Sequence, residues 1–283
     1  MTPDQARSAI ARLRALNVEL GRQAAGSERA FLSAIKKAQE SLLRKMTELL
    51  ASSSDEMLGD AMAWHSENAL LLERMAEGTG YYPAARTYLD GYEDLAGITQ
   101  DIMRAGGFDP AFVAVPDEFV EFIRARDWKH FSFLSDEGNL KLEEILQEQM
   151  IAGMNRGAML GELRGAITGS YPWGEKTGLY EWHAGTYART AHHRAAQEFI
   201  LTQADRAGTG YFLYLGPYDQ KTREFCAELV GQVFSREQIE EMDNGQTGNV
   251  LTDRGGFNCR HQWLPVSDDL ASTLLEEQIE VEI

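Results

Sequence analysis

Apolar residues recur three and four apart over much of the first half of the chain. Phe31, Ile35, Leu42, Leu43, Met46, Leu49 and Leu50 form such a series with charged residues between them, the period of an amphipathic helix with one face turned to a core. The pattern predicts long helices from Asp4 to about Met150. Breaks are expected at Gly26-Ser27, at Ser52-Ser53-Ser54-Asp55, at Gly78-Thr79-Gly80 and at Gly106-Gly107-Phe108-Asp109-Pro110, where glycine, proline and capping residues cluster. Pro116-Asp117-Glu118 reads as a helix start, and Asp136 as the start of a further helix through Leu142, Ile145 and Leu146, because acids in a first turn complement the helix dipole.

Five glycines stand four apart from Gly153 to Gly169. Each interior glycine costs a helix about 1 kcal/mol relative to alanine, so a turn at 154–157 and a short helix at 158–168 are expected. A loop at 169–174 then leads into a long helix at about 176–207. Beyond it the period changes to that of a strand at 211–215, bounded by Gly210 and Gly216-Pro217. Asp219 is expected to cap a helix through Leu229 that Gly231 closes, and Ser235-Arg236-Glu237-Gln238 is a capping box for a helix ending near Gly245. A second strand is expected at 257–266, with Phe257, Cys259, His261 and Trp263 on one face and Asn258, Arg260, Gln262 and Leu264 on the other. After a short helical stretch containing Leu270, Leu274 and Leu275, the alternating Ile279, Val281 and Ile283 predict a free-edged terminal strand able to extend a partner's sheet. The expected class is α+β. A helical region at 1–150 precedes a compact module of helices and a small β-sheet at 151–268, with a tail at 269–283.

Totals narrow the class further. With 283 residues, 43% of them hydrophobic, the chain can bury a sizeable core. A net charge of -17, from 44 acidic and 27 basic residues, repels polyanions at long range. Only a weak, salt-sensitive DNA contact is therefore expected, and the mildly basic face given by Arg189, Arg194 and Arg206 reads first as a solvated helix face. Two cysteines are too few for a disulfide framework, which predicts a reducing cytoplasm. Neither a signal peptide nor a membrane span is expected, since the chain lacks the required apolar runs. The sequence carries no His-Glu-x-x-His, Gly-x-Ser-x-Gly, Walker-type or dinucleotide-binding motif, so neither catalysis nor a small-molecule substrate is expected.

One set of residues carries metal chemistry. Cys226, Cys259 and His261 offer two thiolates and an imidazole, good zinc ligands, with His192 or His193 as the nearest source of a fourth. Their spacing is not one of the standard paired forms, and the same residues also suit two small buried hydrophobes beside a hydrogen-bonded histidine. Asp219, Thr222 and Arg223 read as a helix cap and a carboxylate-paired arginine rather than an activated hydroxyl, because no base is suitably placed.

Three stretches, taken in order, resemble the Mu F-like family of phage head morphogenesis proteins. They are Tyr187-Ala188-Arg189-Thr190; the run from Asp219 through Thr222, Arg223, Cys226 and Leu229 to Gly231; and Gly255-Gly256-Phe257-Asn258-Cys259-Arg260-His261. The family typically shows an Ala-Arg-Thr-Glu helix, an Asp-x-x-Thr-Arg-x-x-Cys-x-x-Leu-x-Gly segment and a terminal Asn-Cys-Arg-Cys or Asn-Cys-Arg-His strand. Here Ala191 replaces the usual glutamate and His261 the second cysteine of many members. The resemblance covers roughly residues 150 to 266 and does not extend to the first 150. It implies a non-enzymatic minor head protein present in few copies in the virion, at the portal vertex or capsid interior, made in the host cytoplasm. Such a protein binds portal or major capsid subunits and aids head assembly and DNA packaging or delivery. Some relatives carry a toxin domain behind this module; with about 17 residues after Val266, none is expected here. Two alternatives stay open: a DNA-binding protein guiding the genome end, and a zinc-dependent hydrolase centred on Cys226, Cys259 and His261.

Overall fold

The computed structural model describes residues 1–169 and 178–277. The expected loop at 169–174 lies largely outside these residues, and the proposed terminal strand with Ile279, Val281 and Ile283 lies wholly outside them. The elements run α1 (Pro3–Ser52), α2 (Asp55–Leu58), α3 (Ala61–Glu73), a 3-10 turn (Met75–Gly78), α4 (Tyr81–Asp90), α5 (Tyr92–Ala105), α6 (Asp117–Ile151), α7 (Arg156–Thr168) and α8 (Leu179–Ala207). They continue with β1 (Tyr211–Leu215), α9 (Glu224–Leu229), β2 (Val233–Ser235), α10 (Arg236–Glu240), α11 (Val250–Asp253), β3 (Gln262–Val266) and α12 (Asp268–Glu276). This is the mainly helical α+β class that the periodicity predicts. Among the described residues no helix is long and apolar enough to cross a membrane.

Two expected helix breaks are absent. The chain passes straight through Gly26-Ser27 within α1 and through Asp136 within α6. In each helix a buried stripe outruns the local signal: Ala6, Ile10, Leu13, Leu20, Ala24, Phe31, Ile35, Ala38, Leu42, Met46 and Leu50 along α1, and Val120, Ile123, Asp127, Phe131, Ser135, Leu142, Ile145 and Met150 along α6. The residues buried on either side outweigh the roughly 1 kcal/mol that a helical glycine costs at Gly26. The other breaks occur where expected. Ser54 and Asn155 cap α2 and α7 by accepting N–H bonds from Met57 and Ala158.

The chain folds into two compact units. One comprises residues 27–90 and 125–188. Its core is aromatic: Phe31, Tyr88, Phe131 and Tyr187 meet at tilted or edge-on angles with centroids 5.1 to 5.5 Å apart. Polar tips are satisfied inside it, Tyr81 Oη donating to the Phe131 carbonyl at 2.9 Å, Tyr88 Oη to the Ala188 carbonyl at 2.6 Å and Trp64 Nε1 to Ser53 Oγ at 2.8 Å.

The second unit comprises residues 1–26, 91–124 and 189–283, and its described part holds the sheet. The strands are all antiparallel in the order β2-β1-β3, with Tyr211 opposite Ser235 on one side and Tyr214 opposite Trp263 on the other. β2 is a strand that periodicity did not predict, being only three residues long. α8 is pinned to β3 by Gln197, whose Oε1 accepts the Trp263 N–H at 2.9 Å and whose amide donates to the Trp263 carbonyl at 3.3 Å. The end of α5 closes on the same strand's exit through Ser267 N–H to the Gly106 carbonyl at 2.8 Å.

The strand expected at 257–266 begins only at Gln262. Phe257 is 62% exposed, and all five positions of β3 are buried, including Gln262. The two-faced alternation therefore does not hold: β3 is covered on both faces, and the residues before it form a loop.

Candidate metal centre

Three segments bring ligand-type side chains together beside β1. The first follows the strand. Asp219 and Thr222 build a tight turn in which Lys221 N–H donates to Asp219 Oδ1 at 2.9 Å, Asp219 N–H to Thr222 Oγ1 at 2.8 Å, and Thr222 Oγ1 to the Pro217 carbonyl at 2.9 Å. Asp219 does not cap α9, as the sequence suggested; the residue at that position is Arg223, without a side-chain cap bond. Asp219 instead accepts a two-pronged pair from Arg260, at 2.8 and 2.6 Å, a geometry that suits guanidinium and carboxylate. That pair first, then the Lys221 N–H, holds its carboxyl well below the usual range.

Arg223 corrects a second expectation. It pairs with no carboxylate in the described contacts but donates to the carbonyls of Gly255 and Phe257. It thereby ties the start of α9, which carries Cys226, to the loop that carries Cys259. Gly231 closes α9 as expected, at φ +87°, and its N–H donates to the Tyr214 carbonyl at 2.8 Å. The helix after the Ser235 capping box ends at Glu240, short of Gly245.

The loop from Arg254 to Asn258 is wound tightly around a thiol. Arg254, Gly256 and Asn258 all have positive φ, at +55°, +88° and +57°, a costly sequence for two non-glycine residues. What offsets the cost is visible. The fully buried Arg254 donates to the His193 carbonyl at 2.5 Å and to Gln262 Oε1 at 3.4 Å, while its own carbonyl accepts from Asn244 Nδ2 at 2.8 Å. Gly255 N–H points at Cys259 Sγ, 3.3 Å away. A side chain at Gly255 would overlap Cys226 Sγ and come within 3.2 Å of Cys259 Sγ, so the position needs glycine for its close approach.

Cys226 Sγ lies 3.9 Å from Cys259 Sγ, and Cys259 Sγ lies 3.8 Å from His261 Nδ1. The three ligand atoms are within 4.8 Å of one another, and their residues are only 2 to 4% exposed. Both cysteines are free thiols. Zinc bonds of about 2.3 Å to sulfur and 2.0 to 2.1 Å to nitrogen, at tetrahedral angles, place two sulfurs about 3.8 Å apart and sulfur and nitrogen about 3.6 Å apart. The residues present thus fit a thiophilic divalent ion. The Cys259 thiol is pushed down, first by its hydrogen bond with Cys226 and then by His261 and the Arg254 charge; Cys226, by the same contact and by burial, is pushed up.

Tyr214, on β1, went unremarked in the sequence. Its hydroxyl sits 3.4 Å from Cys226 Sγ and 3.7 Å from Cys259 Sγ, and its ring stacks on His261 with centroids 5.2 Å apart and planes at 12°. The available signal was that Phe212 and Tyr214 share one face of a strand, but nothing local said that this face met the cysteines.

Of the remaining motif residues, Thr190 Oγ1 donates to Asn258 Oδ1 at 3.4 Å, and Arg189 lies exposed on α8. Ala191 is buried and packs as an apolar residue. Neither histidine suggested as a fourth ligand belongs to the cluster. His192 packs edge-on against Tyr92, with centroids 5.2 Å apart, and His193 Nδ1 accepts from Gln262 Nε2 at 3.3 Å. No family model, curated protein or solved structure matches the chain.

Proposed function

We propose that this chain is a non-enzymatic minor head protein of the Mu F-like kind, an adaptor bound to portal or major capsid subunits that aids head assembly and DNA packaging or delivery. The observation that carries the reading is that the residues behind the resemblance, up to about seventy positions apart, are spent on one another. Thr190 meets Asn258, Asp219 pairs with Arg260, Arg223 holds the Gly255 and Phe257 carbonyls, and Cys226 faces Cys259. A motif whose members interlock specifies a folded module; a catalytic motif aims its groups at a cleft. Within the same proposal, Cys226, Cys259 and His261 hold a structural zinc ion. A hydrolytic zinc needs a coordination position that substrate can reach, and the burial of all three ligands argues against one.

Co-production of the chain with the portal and major capsid proteins of the same genome, followed by mass spectrometry of gradient-purified heads, tests the adaptor reading. The expected result is a few copies per head. Heads that assemble fully while excluding the chain would overturn it.

A further inference from the structure

We infer that Tyr214 is the fourth donor of this metal centre, which is a closed site of two cysteines, a histidine and a tyrosine whose charge is balanced by the buried Arg254. The inference rests on the zinc reading above and extends it.

Geometry is the first support. A zinc ion bonded to sulfur at about 2.3 Å and to oxygen at 2.0 to 2.2 Å sets a tetrahedral sulfur–oxygen edge of about 3.6 Å. The Tyr214 hydroxyl lies 3.4 and 3.7 Å from the two sulfurs, on either side of that value, so one oxygen stands at ligand distance from both thiols. Four edges of one tetrahedron are therefore already in place, counting the sulfur–sulfur and sulfur–nitrogen separations of 3.9 and 3.8 Å. Among the described residues the hydroxyl bonds to nothing but these two sulfurs. Its ring is fully buried and locked between His261 and Trp263, the latter at 4.2 Å between centroids, so the oxygen cannot swing away to leave room for a water.

Charge is the second. Arg254 is buried, and its guanidinium donates to a carbonyl and an amide oxygen, with no carboxylate in either bond. A buried cation without a counter-charge is costly. Zinc with two thiolates and a neutral donor is uncharged and leaves Arg254 only the unbonded charges of Asp253 and Glu198. Zinc with two thiolates and a tyrosinate carries one negative charge, and with Arg254 the group is neutral. The Gly255 N–H that follows Arg254 in the chain already supports Cys259. His261 adds a buried, stacked imidazole whose other nitrogen, Nε2, has no hydrogen-bond partner among the described residues.

The test uses the full-length protein, stripped with a chelator and reloaded with zinc or cobalt(II), alongside Tyr214→Phe. Wild type is expected to bind one ion, to give a cobalt spectrum with thiolate charge transfer and intense tetrahedral bands, and to develop a tyrosinate absorption difference on zinc loading. Tyr214→Phe is expected to bind about tenfold or more weakly and to lose the tyrosinate signal, with an altered cobalt spectrum as water enters. If wild type binds zinc without the tyrosinate signal, and the variant keeps both affinity and cobalt spectrum, Tyr214 is not a ligand. Should the variant fail to fold, the tyrosinate signal of wild type decides alone. Failure of wild type to bind either metal would instead remove the zinc reading itself, and this inference with it.

Discussion

His193 illustrates how one side chain couples the fold to solution conditions. Its ring, partly buried between α8 and β3, accepts the Gln262 amide at Nδ1. Burial first, then the Arg254 charge, pushes it down to about 3 from the ordinary 6.5. The unfolded chain therefore takes up this proton near 6.5, and the folded protein only near 3. The stability that His193 contributes is complete above 6.5 and is lost progressively as pH falls towards 3. Denaturant titrations across that window are expected to show a shallower acid loss for His193→Gln than for wild type; parallel curves would mean that the ring is protonated in the fold. At this scale the sequence was partly legible. Cys226, Cys259 and His261 could be named because thiol and imidazole announce their chemistry. Tyr214 and Arg254 could not, since a tyrosine in a strand and an arginine in a loop acquire roles only from what is packed against them.

Among elements, those built on local rules were the legible ones. The Ser235 capping box is formed on both sides, with Ser235 Oγ accepting the Gln238 N–H and Gln238 Oε1 accepting the Ser235 N–H, and β1 occupies the residues its pattern indicated. Misreadings arose where a distant surface overrode a local signal, as with the unbroken α1 and α6 and the shortened β3. The loop from Arg254 to Cys259 is the sharpest case, because its backbone is dictated by sulfurs that sequence periodicity does not register. Gly255→Ala tests it. The added methyl overlaps Cys226 Sγ, and overpacking of a dense site typically costs 1 to 3 kcal/mol, so a loss of about that size in chemical denaturation is expected. Gly248→Ala, where a methyl meets nothing within 4 Å, is the control; equal losses in the two would show that the thiol contact is unimportant.

For the whole molecule, charge sets what it can approach. With a net charge of -17, the chain is expected not to retard duplex DNA in gel-shift assays at physiological salt. A salt-dependent shift would mean that the face with Arg189, Arg194 and Arg206 outweighs the total and would favour a genome-end role. Which stretches share a compact unit is likewise a whole-chain property: residues 1–26 join 91–124 and 189–283, an interleaving that hydrophobic period does not report. The closeness of Cys226 to Cys259, 33 positions apart, has a wider bearing. If an ion bridges them, the intervening stretch becomes a closed ring, worth about 3 to 4 kcal/mol in restricted freedom of the unfolded chain by the same arithmetic that governs a crosslink. Because that term grows only with the logarithm of ring size, the strength of such a tether depends little on how many residues the ring holds, and resides in the ligands at its two ends.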